Sequence, residues 1–245
     1  MVEGDSTVVP LTPEQLAQIN RLATVARFVS ALAHELNNSL QVMGGLLELL
    51  AERDDLPHDA LLRIERIGAH ADQAGVKIKQ VVSYVRAPAH TDTRVDLAAL
   101  VERALTLRSY ELERAGIRTV REVTADRFAV HGSARDLEQV VLNLLANAQE
   151  ALAASDTREL RIGMSRTAGR IRLSLTDTGP GVPVELRGRI FEPFFTTHAS
   201  TGAVGLGLTV AAHMAEAHGG RLSLLDERSG ATFVLDLPDA AAQAR

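Results

Sequence analysis

The sequence of 245 residues contains no cysteine and no tryptophan, and aromatic residues make up only 3% of it. The absence of cysteine excludes disulfide scaffolds, thiol nucleophiles and zinc sites built on cysteine. So few aromatic rings make a poor surface for stacking nucleic-acid bases. The formal net charge of −5 gives no electrostatic reason to bind nucleic acid, and we expect none as a partner.

Long hydrophobic runs are also missing. No segment offers the ~20 predominantly apolar residues that a membrane span needs, and the longest uncharged stretch, Pro193–Ala215, is rich in Thr, Gly, Ser and His. The acidic N-terminus lacks the basic and apolar regions of a secretory signal. The sequence therefore predicts a cytoplasmic protein without a membrane span. Hydrophobic residues still make up 46% of the chain, which excludes disorder for most of it.

The first half of the chain has the pattern of two long amphipathic helices. Apolar residues from Leu22 to Leu50 and from Ile64 to Val85 recur mostly in alternating steps of three and four, the spacing of helices that pack along a seam. Pro13 favours a helix start and Pro57 a turn. We expect an antiparallel hairpin over residues 14–88. Its two apolar seams predict homodimerisation into a four-helix bundle.

The second half mixes helix and strand patterns. Residues 89–93 are predicted to be a linker, residues 94–238 a second domain, and residues 1–13 and 239–245 a flexible start and a frayed tail. The pattern predicts helices over Leu97–Arg114, Asp136–Ala154 and Leu208–His218. It predicts strands over Ile117–Val123, Arg127–Val130, Leu160–Met164, Arg170–Asp177, Arg221–Asp226 and Thr232–Leu237, and a mobile loop from Gly179 to Gly207. The fold class is therefore α + α/β, a helical hairpin followed by an α/β sandwich.

A polar cluster interrupts the first helix at His34. At ~100° per residue, His34 lies about 200° around the helix from Leu32 and Leu36, so it points away from the apolar seam. Glu35 is adjacent, and Asn38 lies one turn further on the same face. An exposed imidazole beside a carboxylate can act as a nucleophile whose proton is taken by a general base. A merely solvated helix face is the alternative explanation.

Two further clusters lie in the second half. Asn143 and Asn147 are four residues apart on one helix face, and two amide oxygens at this spacing can hold Mg²⁺ together with phosphates. Asp177 ends a strand and enters a turn containing Gly179 and Gly181. A carboxylate beside such backbone suits hydrogen bonding to an adenine amino group. An ordinary β-turn is the alternative.

The last cluster is the run Gly205-Leu206-Gly207, which opens a helix. Glycines let the backbone approach a polyphosphate, and a helix N-terminus favours its negative charge. The run matches a dinucleotide-binding fingerprint only loosely, because it does not follow a βαβ unit. No P-loop sequence occurs in the chain.

In their order, these clusters resemble the transmitter core of a two-component sensor histidine kinase over roughly Leu16 to Leu237. The run His34-Glu-Leu-Asn-Asn resembles the phosphoacceptor box of the nitrogen-regulation-type subfamily. The remaining motifs resemble the N box (Asn143 and Asn147), the first glycine box (Asp177-Thr-Gly-Pro-Gly), the F box (Ile190-Phe-Glu-Pro-Phe-Phe-Thr-Thr197) and the second glycine box (Gly205-Leu-Gly-Leu). The resemblance implies an ATP-binding domain of the gyrase and histidine-kinase type after the hairpin.

The resemblance also implies roles for these residues. The γ-phosphoryl group of ATP would be transferred to His34, with Glu35 as the base, and then to an aspartate in the receiver domain of a response regulator. Asn38 would position water to remove phosphate from that regulator. The nucleotide and Mg²⁺ would be bound by Asn143, Asn147, Asp177, Gly179, Gly181, Thr197, His198, Gly205, Leu206 and Gly207, with Asn143 and Asn147 at the metal. Because few residues precede the first helix, we expect either that a separate sensor protein supplies the signal or that the chain is one module of a larger assembly.

Three positions depart from the family pattern. Ser39 stands where proline is usual, His198 where lysine is usual, and Ala203-Val204 where Gly-Thr is usual. Two alternatives stay open at this point. A gyrase-like ATPase is one, although such proteins carry a carboxylate where Asn143 stands. The other is a non-enzymatic dimeric phosphotransfer adaptor with a degenerate ATP site.

Overall fold

A computed structural model describes residues 13–53, 55–85, 93–123, 127–197, 203–225 and 230–243, with side chains described from residue 28 to residue 242. The chain divides into two compact units between Arg86 and Ala87. Each unit is built around its own set of elements, and the two are described separately.

The first unit is the predicted helical hairpin. Helix α1 (Pro13–Ala51) and helix α2 (His58–Val85) pack side by side. They run antiparallel, because Leu40 lies beside Gly75 while Leu47 lies beside Gly68. The guanidinium of Arg53 donates to the carboxylate of Asp55 in the connecting turn, from Nε to Oδ1 at 2.8 Å.

Much of the hairpin's apolar surface is uncovered in the single chain. Among its described residues, Ala33 is the one buried hydrophobic side chain. Exposed large hydrophobic side chains on the two helices are Phe28, Leu32, Leu36, Val42, Met43, Leu46, Leu49, Leu50, Leu62, Ile67, Val76 and Tyr84. An exposed apolar surface of this kind is typical of an interaction face.

The second unit is an α/β sandwich. Its strands are β1 (Thr93–Asp96), β2 (Arg118–Val123), β3 (Ala129–Gly132), β4 (Glu159–Thr167), β5 (Arg170–Asp177), β6 (Arg221–Leu225) and β7 (Thr232–Pro238). Five of them form a sheet in the order β2-β4-β5-β7-β6, with β2 parallel to β4 and the other neighbours antiparallel. Strands β1 and β3 form a separate antiparallel pair.

Two helices pack on the five-stranded sheet, α5 (Ala134–Leu152) against β5 and α6 (Gly207–Ala217) against β6 and β7. The other helices of the unit are α3 (Leu97–Leu107), α4 (Ser109–Arg114) and the short α7 (Ala240–Gln243). Alternate residues of β5 are buried, Ile171, Leu173 and Leu175 among them, as expected for a strand with one covered face. Helix α5 packs on α3, α6 and β5, so the predicted N-box helix lies at the centre of the unit.

Three sequence predictions for this unit are wrong in detail. The predicted helix Leu97–Arg114 is interrupted at Arg108, whose side chain donates to Gln149 of α5 and so holds a turn between α3 and α4. Thr93, placed in the linker, begins the overlooked strand β1, which is stabilised by pairing with distant β3. The start of the tail predicted to fray is helical instead, over Ala240–Gln243. It is held where buried Asp239 forms an ion pair with Arg166 at 2.7 Å.

Candidate functional site

His34 lies on α1 of the hairpin and is exposed, as predicted. The amide nitrogen Nδ2 of Asn38 lies 3.3 Å from its Nδ1. The Asn38 amide thus engages Nδ1, and no hydrogen bond to Nε2 occurs among the described residues. Glu35 is exposed next to the imidazole, and the Oγ of Ser39 donates to the Glu35 carbonyl oxygen at 3.1 Å. Serine thus keeps the helix continuous where the family's proline would interrupt its hydrogen bonding.

Asp177 is a buried carboxylate of the second unit, at the end of β5 and 2% exposed. Its Oδ1 accepts hydrogen bonds from the backbone N–H groups of Gly179 at 2.8 Å and Ala231 at 3.3 Å. Burial raises the pKa of Asp177, while these two N–H donors act in the opposite direction. Within the described part of the chain no donor reaches Oδ2, so this oxygen can accept from a ligand.

Glycines allow the backbone to close around Asp177. A Cβ at Gly179 would lie 2.8 Å from Oδ1 of Asp177, and one at Gly181 would lie 2.7 Å from the carbonyl oxygen of Gly230. A Cβ at Gly230 would overlap the carbonyl oxygen of Asp177 itself. Sequence reasoning missed Gly230 and Ala231. The available signal was a glycine immediately before the final strand, which pairs with β5.

Asn143 connects the N-box helix to the second glycine box. It is 7% exposed, and its Nδ2 donates to the carbonyl oxygen of Gly207 at 3.0 Å. Its Oδ1 accepts from Gln139 at 2.9 Å and retains a second lone pair. Asn147, one turn later, is half-buried, and no hydrogen bond to its amide occurs among the described residues. These two amides therefore have oxygen atoms available for a metal ion or for phosphate-bound water.

The second glycine box packs against the F box. Gly205 has a φ of +71°, and a Cβ on it would lie 2.5 Å from the carbonyl oxygen of Phe195. Half-buried Ala203 and Val204 lead into this glycine. The guanidinium of Arg189 lies over the aromatic ring of Phe195, 4.5 Å from the ring centroid. The described part of the predicted loop also contains a 3₁₀ turn, Val184–Leu186.

At the N-terminus of α6, no hydrogen bond to the first backbone N–H groups occurs within the described ranges. Its N-cap residue, Leu206, is fully buried and provides no side-chain cap. A Cβ at Gly207 would meet nothing within 4 Å, so open space adjoins the first turn. The buried Oγ1 of Thr209 has no hydrogen-bond partner within the residues that the structure describes. These features fit the phosphates of a nucleotide, because free N–H groups and the helix dipole favour an anion.

The two remaining residues predicted to bind the nucleotide are Thr197 and His198, on either side of the end of a described range. Thr197 is exposed, whereas His198 lies outside the described residues. No group of three or more His, Cys, Asp or Glu side chains suitable for a metal ion occurs in the described ranges. Mg²⁺ does not need one, since it is commonly held by one or two protein oxygens together with substrate phosphates and waters.

Comparison with known proteins agrees with this geometry. Residues 132–241 match the family model described as histidine kinase-, DNA gyrase B-, and HSP90-like ATPase. The two-component sensor PprA of Pseudomonas aeruginosa is 35% identical over 98% of this chain, and the signal transduction histidine-protein kinase AtoS of Escherichia coli K12 is 30% identical over 97%. The chain carries the transmitter core of a two-component histidine kinase. Its assignment to the nitrogen-regulation-type subfamily stays a prediction.

A solved structure supports the same fold for this transmitter core. The crystal structure of full-length ShkA in complex with AMPPNP superposes with a TM-score of 0.71 at 26% identity, covering 87% of this chain and 46% of that one. The chain spans only 27% of the length of PprA and 39% of that of AtoS. Throughout the described ranges, no helix is long and apolar enough to cross a membrane.

Proposed function

We propose that this transmitter core phosphorylates itself on His34 with ATP and passes the phosphoryl group to an aspartate of a response regulator. One observation carries the proposal. The chain combines an exposed imidazole, hydrogen-bonded by an amide one turn away, with a glycine-lined buried carboxylate in an ATPase-family domain. The relatives named as two-component sensors support the same reaction.

The second unit would bind ATP through contacts to both the adenine base and the phosphates. Oδ2 of Asp177 would accept from the exocyclic amino group of adenine, because Oδ1 is already occupied by two backbone N–H groups. The phosphates would lie at the uncapped N-terminus of α6, beside Gly207. Asn143 and Asn147 would hold Mg²⁺, which supplies positive charge to the transferring phosphoryl group.

Phosphoryl transfer would take place at Nε2 of His34. Nδ1 is occupied by the Asn38 amide, so Nε2 is the ring nitrogen left for attack. A bond forms between Nε2 and the γ-phosphorus while the bond from that phosphorus to the bridging oxygen breaks, and ADP leaves. Attack uses the in-plane lone pair of Nε2, so the ring proton would be on Nδ1, facing the Asn38 amide in the orientation that presents its oxygen. Glu35, the adjacent exposed carboxylate, would accept that proton as the phosphoryl group bonds to Nε2. The phosphoryl group then passes from Nε2 to a carboxylate oxygen of the regulator.

Two further parts of the proposal concern assembly and phosphatase activity. The exposed apolar side chains of the hairpin favour a homodimer in which a second copy covers them. Asn38 would position a water molecule for removal of phosphate from the regulator, since an amide can both donate to and accept from water. We place the reaction in the cytoplasm, where ATP is available.

Incubation of the full chain with γ-labelled ATP and Mg²⁺ tests this function. We expect label that is stable to base and labile to acid, as for phosphohistidine, and transfer of that label to one of the receiver domains of the source organism. A chelator should abolish labelling. Release of inorganic phosphate without labelled protein would instead support a gyrase-like ATPase. Absence of nucleotide binding would support the adaptor with a degenerate ATP site.

A further inference from the structure

His218 forms a link between the two helices of the nucleotide site that the proposed reaction does not use. It is the C-cap residue of α6 and is half-buried. Its Nδ1 lies 2.7 Å from the carbonyl oxygen of Met214, and its Nε2 accepts from the backbone N–H of Ser133 at 3.0 Å. A carbonyl oxygen only accepts and a backbone N–H only donates, so these partners select the neutral tautomer with its proton on Nδ1.

Ser133 needs this imidazole because it is the N-cap of the N-box helix α5. The residue is 4% exposed. Its Oγ accepts from the N–H of Asp136 at 3.3 Å, and its carbonyl oxygen accepts from the N–H of Leu137 at 3.0 Å. The N–H of Ser133 is thus its remaining backbone group, and His218 satisfies it. Without an acceptor there, a buried donor would be left unpaired at the start of α5.

Gly132 provides the space that the imidazole occupies. A Cβ at this position would overlap Cδ2 of His218 and lie 2.7 Å from its Nε2. Because backbone and ring are in direct contact, the imidazole is held against the end of β3, immediately before α5. The environment therefore fixes the position of the ring as well as its tautomer.

The same two helices are joined a second time at the end where the phosphates are proposed to bind. Asn143 of α5 donates to the carbonyl oxygen of Gly207, the first residue of α6. Along each helix the two hydrogen bonds are separated by ten or eleven residues, about 15 Å at ~1.5 Å per residue. Sliding α6 along α5 would break both. We infer that His218 is a positioning residue that aligns the phosphate-binding end of α6 with the N-box amides of α5.

This inference rests on the proposed function and adds to it. If Asn143 turns toward Mg²⁺ when nucleotide binds, its bond to Gly207 is exchanged for a ligand bond. The link between His218 and Ser133 lies at the opposite end of α6 and uses no ligand atom. It therefore keeps α6 aligned both before and after nucleotide binding, which predicts an effect on nucleotide affinity more than on the chemical step.

Three substitutions of His218 distinguish the effect of its hydrogen bond to Ser133 from that of its hydrogen bond to Met214. His218→Gln places an acceptor near the position of Nε2, His218→Asn keeps a group near Nδ1, and His218→Leu removes both. Binding of a fluorescent ATP analogue with Mg²⁺ to the full chain should be within about threefold of wild type for His218→Gln and at least tenfold weaker for His218→Leu and His218→Asn. At saturating ATP, kcat for autophosphorylation should change by less than about twofold. His213→Leu, on the exposed side of α6, is the matched control and should bind normally.

Equal affinity of all three variants, or normal binding by His218→Asn with loss in His218→Gln, would overturn the inference. If a variant does not fold, a measurement on the wild-type chain still tests the inference. Long-range proton–nitrogen NMR spectra of the His218 imidazole at neutral pH should show a proton on Nδ1 and none on Nε2. A proton on Nε2 would also overturn the inference. Neither readout involves His34, so nucleotide binding without histidine labelling would count against the proposed function alone.

Discussion

The side-chain amide nitrogen of Asn38 lies 3.3 Å from Nδ1 of His34, one helical turn before it. This contact engages Nδ1 of the exposed imidazole and leaves Nε2 without a hydrogen bond among the described residues. The same amide is the group proposed to position water during removal of phosphate from the regulator. Asn38 could therefore affect two reactions, and they can be measured separately.

Asn38→Ala should slow dephosphorylation of the partner regulator by about tenfold or more, because the attacking water loses its positioning group. Autophosphorylation of His34 should stay near the wild-type rate, since Nε2 and Glu35 are unchanged. Both rates are measured with the same labelled preparation. If both fall together, the amide is needed to hold the imidazole, and if neither changes, another group positions the water.

Asp177→Asn should weaken binding of a fluorescent ATP analogue by about tenfold or more, because a hydrogen bond to a charged group contributes about 1.5–3 kcal/mol. The asparagine oxygen can still accept from Gly179 and Ala231, so the amide nitrogen replaces Oδ2 and turns an acceptor into a donor. Binding titrations on folded protein check this. Unchanged affinity would show that Asp177 does not contact the base.

Although Asp177→Asn should weaken nucleotide binding, it should raise the stability of the folded protein at neutral pH. A carboxyl group whose pKa is raised in the folded state binds its proton more tightly there than in the unfolded chain. Stability therefore falls as pH rises from the ordinary aspartate pKa of about 3.9 through the raised value. Above that window Asp177→Asn should melt at a higher temperature than wild type, and the difference should shrink at acidic pH. A lower melting temperature at neutral pH would contradict the burial argument.

Gly207→Ala separates nucleotide binding from folding. A Cβ at Gly207 meets no protein atom within 4 Å, so the melting temperature should not fall. The methyl group would occupy the space assigned to phosphates, and affinity for the ATP analogue should decrease by about tenfold. Gly188→Ala also adds a Cβ in open space but lies outside this helix start, and it should leave both quantities unchanged. Equal affinities of the two variants for the ATP analogue would show that the phosphates do not bind beside Gly207.

Ile67→Asp tests the proposed dimer. Ile67 is 54% exposed in the single chain, so an aspartate there should leave the hairpin helical. In a dimer it would bury an unpaired charge in each copy, and the dimer dissociation constant should rise by at least about tenfold. Gln73→Asp, at an exposed polar position on the same helix, should dimerise normally. Light scattering that shows a monomeric wild-type chain at micromolar concentration would contradict the proposal.

Local periodicity was sufficient to predict the hairpin and most of the sandwich. Helices α1 and α2 follow an apolar repeat, and the strand preceding Asp177 alternates with period two. The errors lie where distant residues decide the local structure. Strand β1 is four residues long and depends on β3, and Arg108 interrupts a helical pattern through its contact with Gln149.

The candidate site was predictable as motifs but not as contacts. Asp177 and the glycines after it could be identified from the sequence alone. Its second backbone donor, Ala231, lies 54 residues later and is brought there by pairing of β5 with β7. The link from His218 to Ser133 spans 85 residues and likewise depends on the packing of α5 and α6. Neither pair has a sequence spacing that predicts it.

Mapping the phosphorylated residue tests the central claim most directly. The full chain, His34→Gln and His70→Gln are each incubated with γ-labelled ATP and Mg²⁺, His70 being an exposed histidine on the other helix of the hairpin. The account predicts acid-labile label in the wild type and in His70→Gln, and none in His34→Gln. Labelling of His34→Gln at the wild-type rate would contradict it.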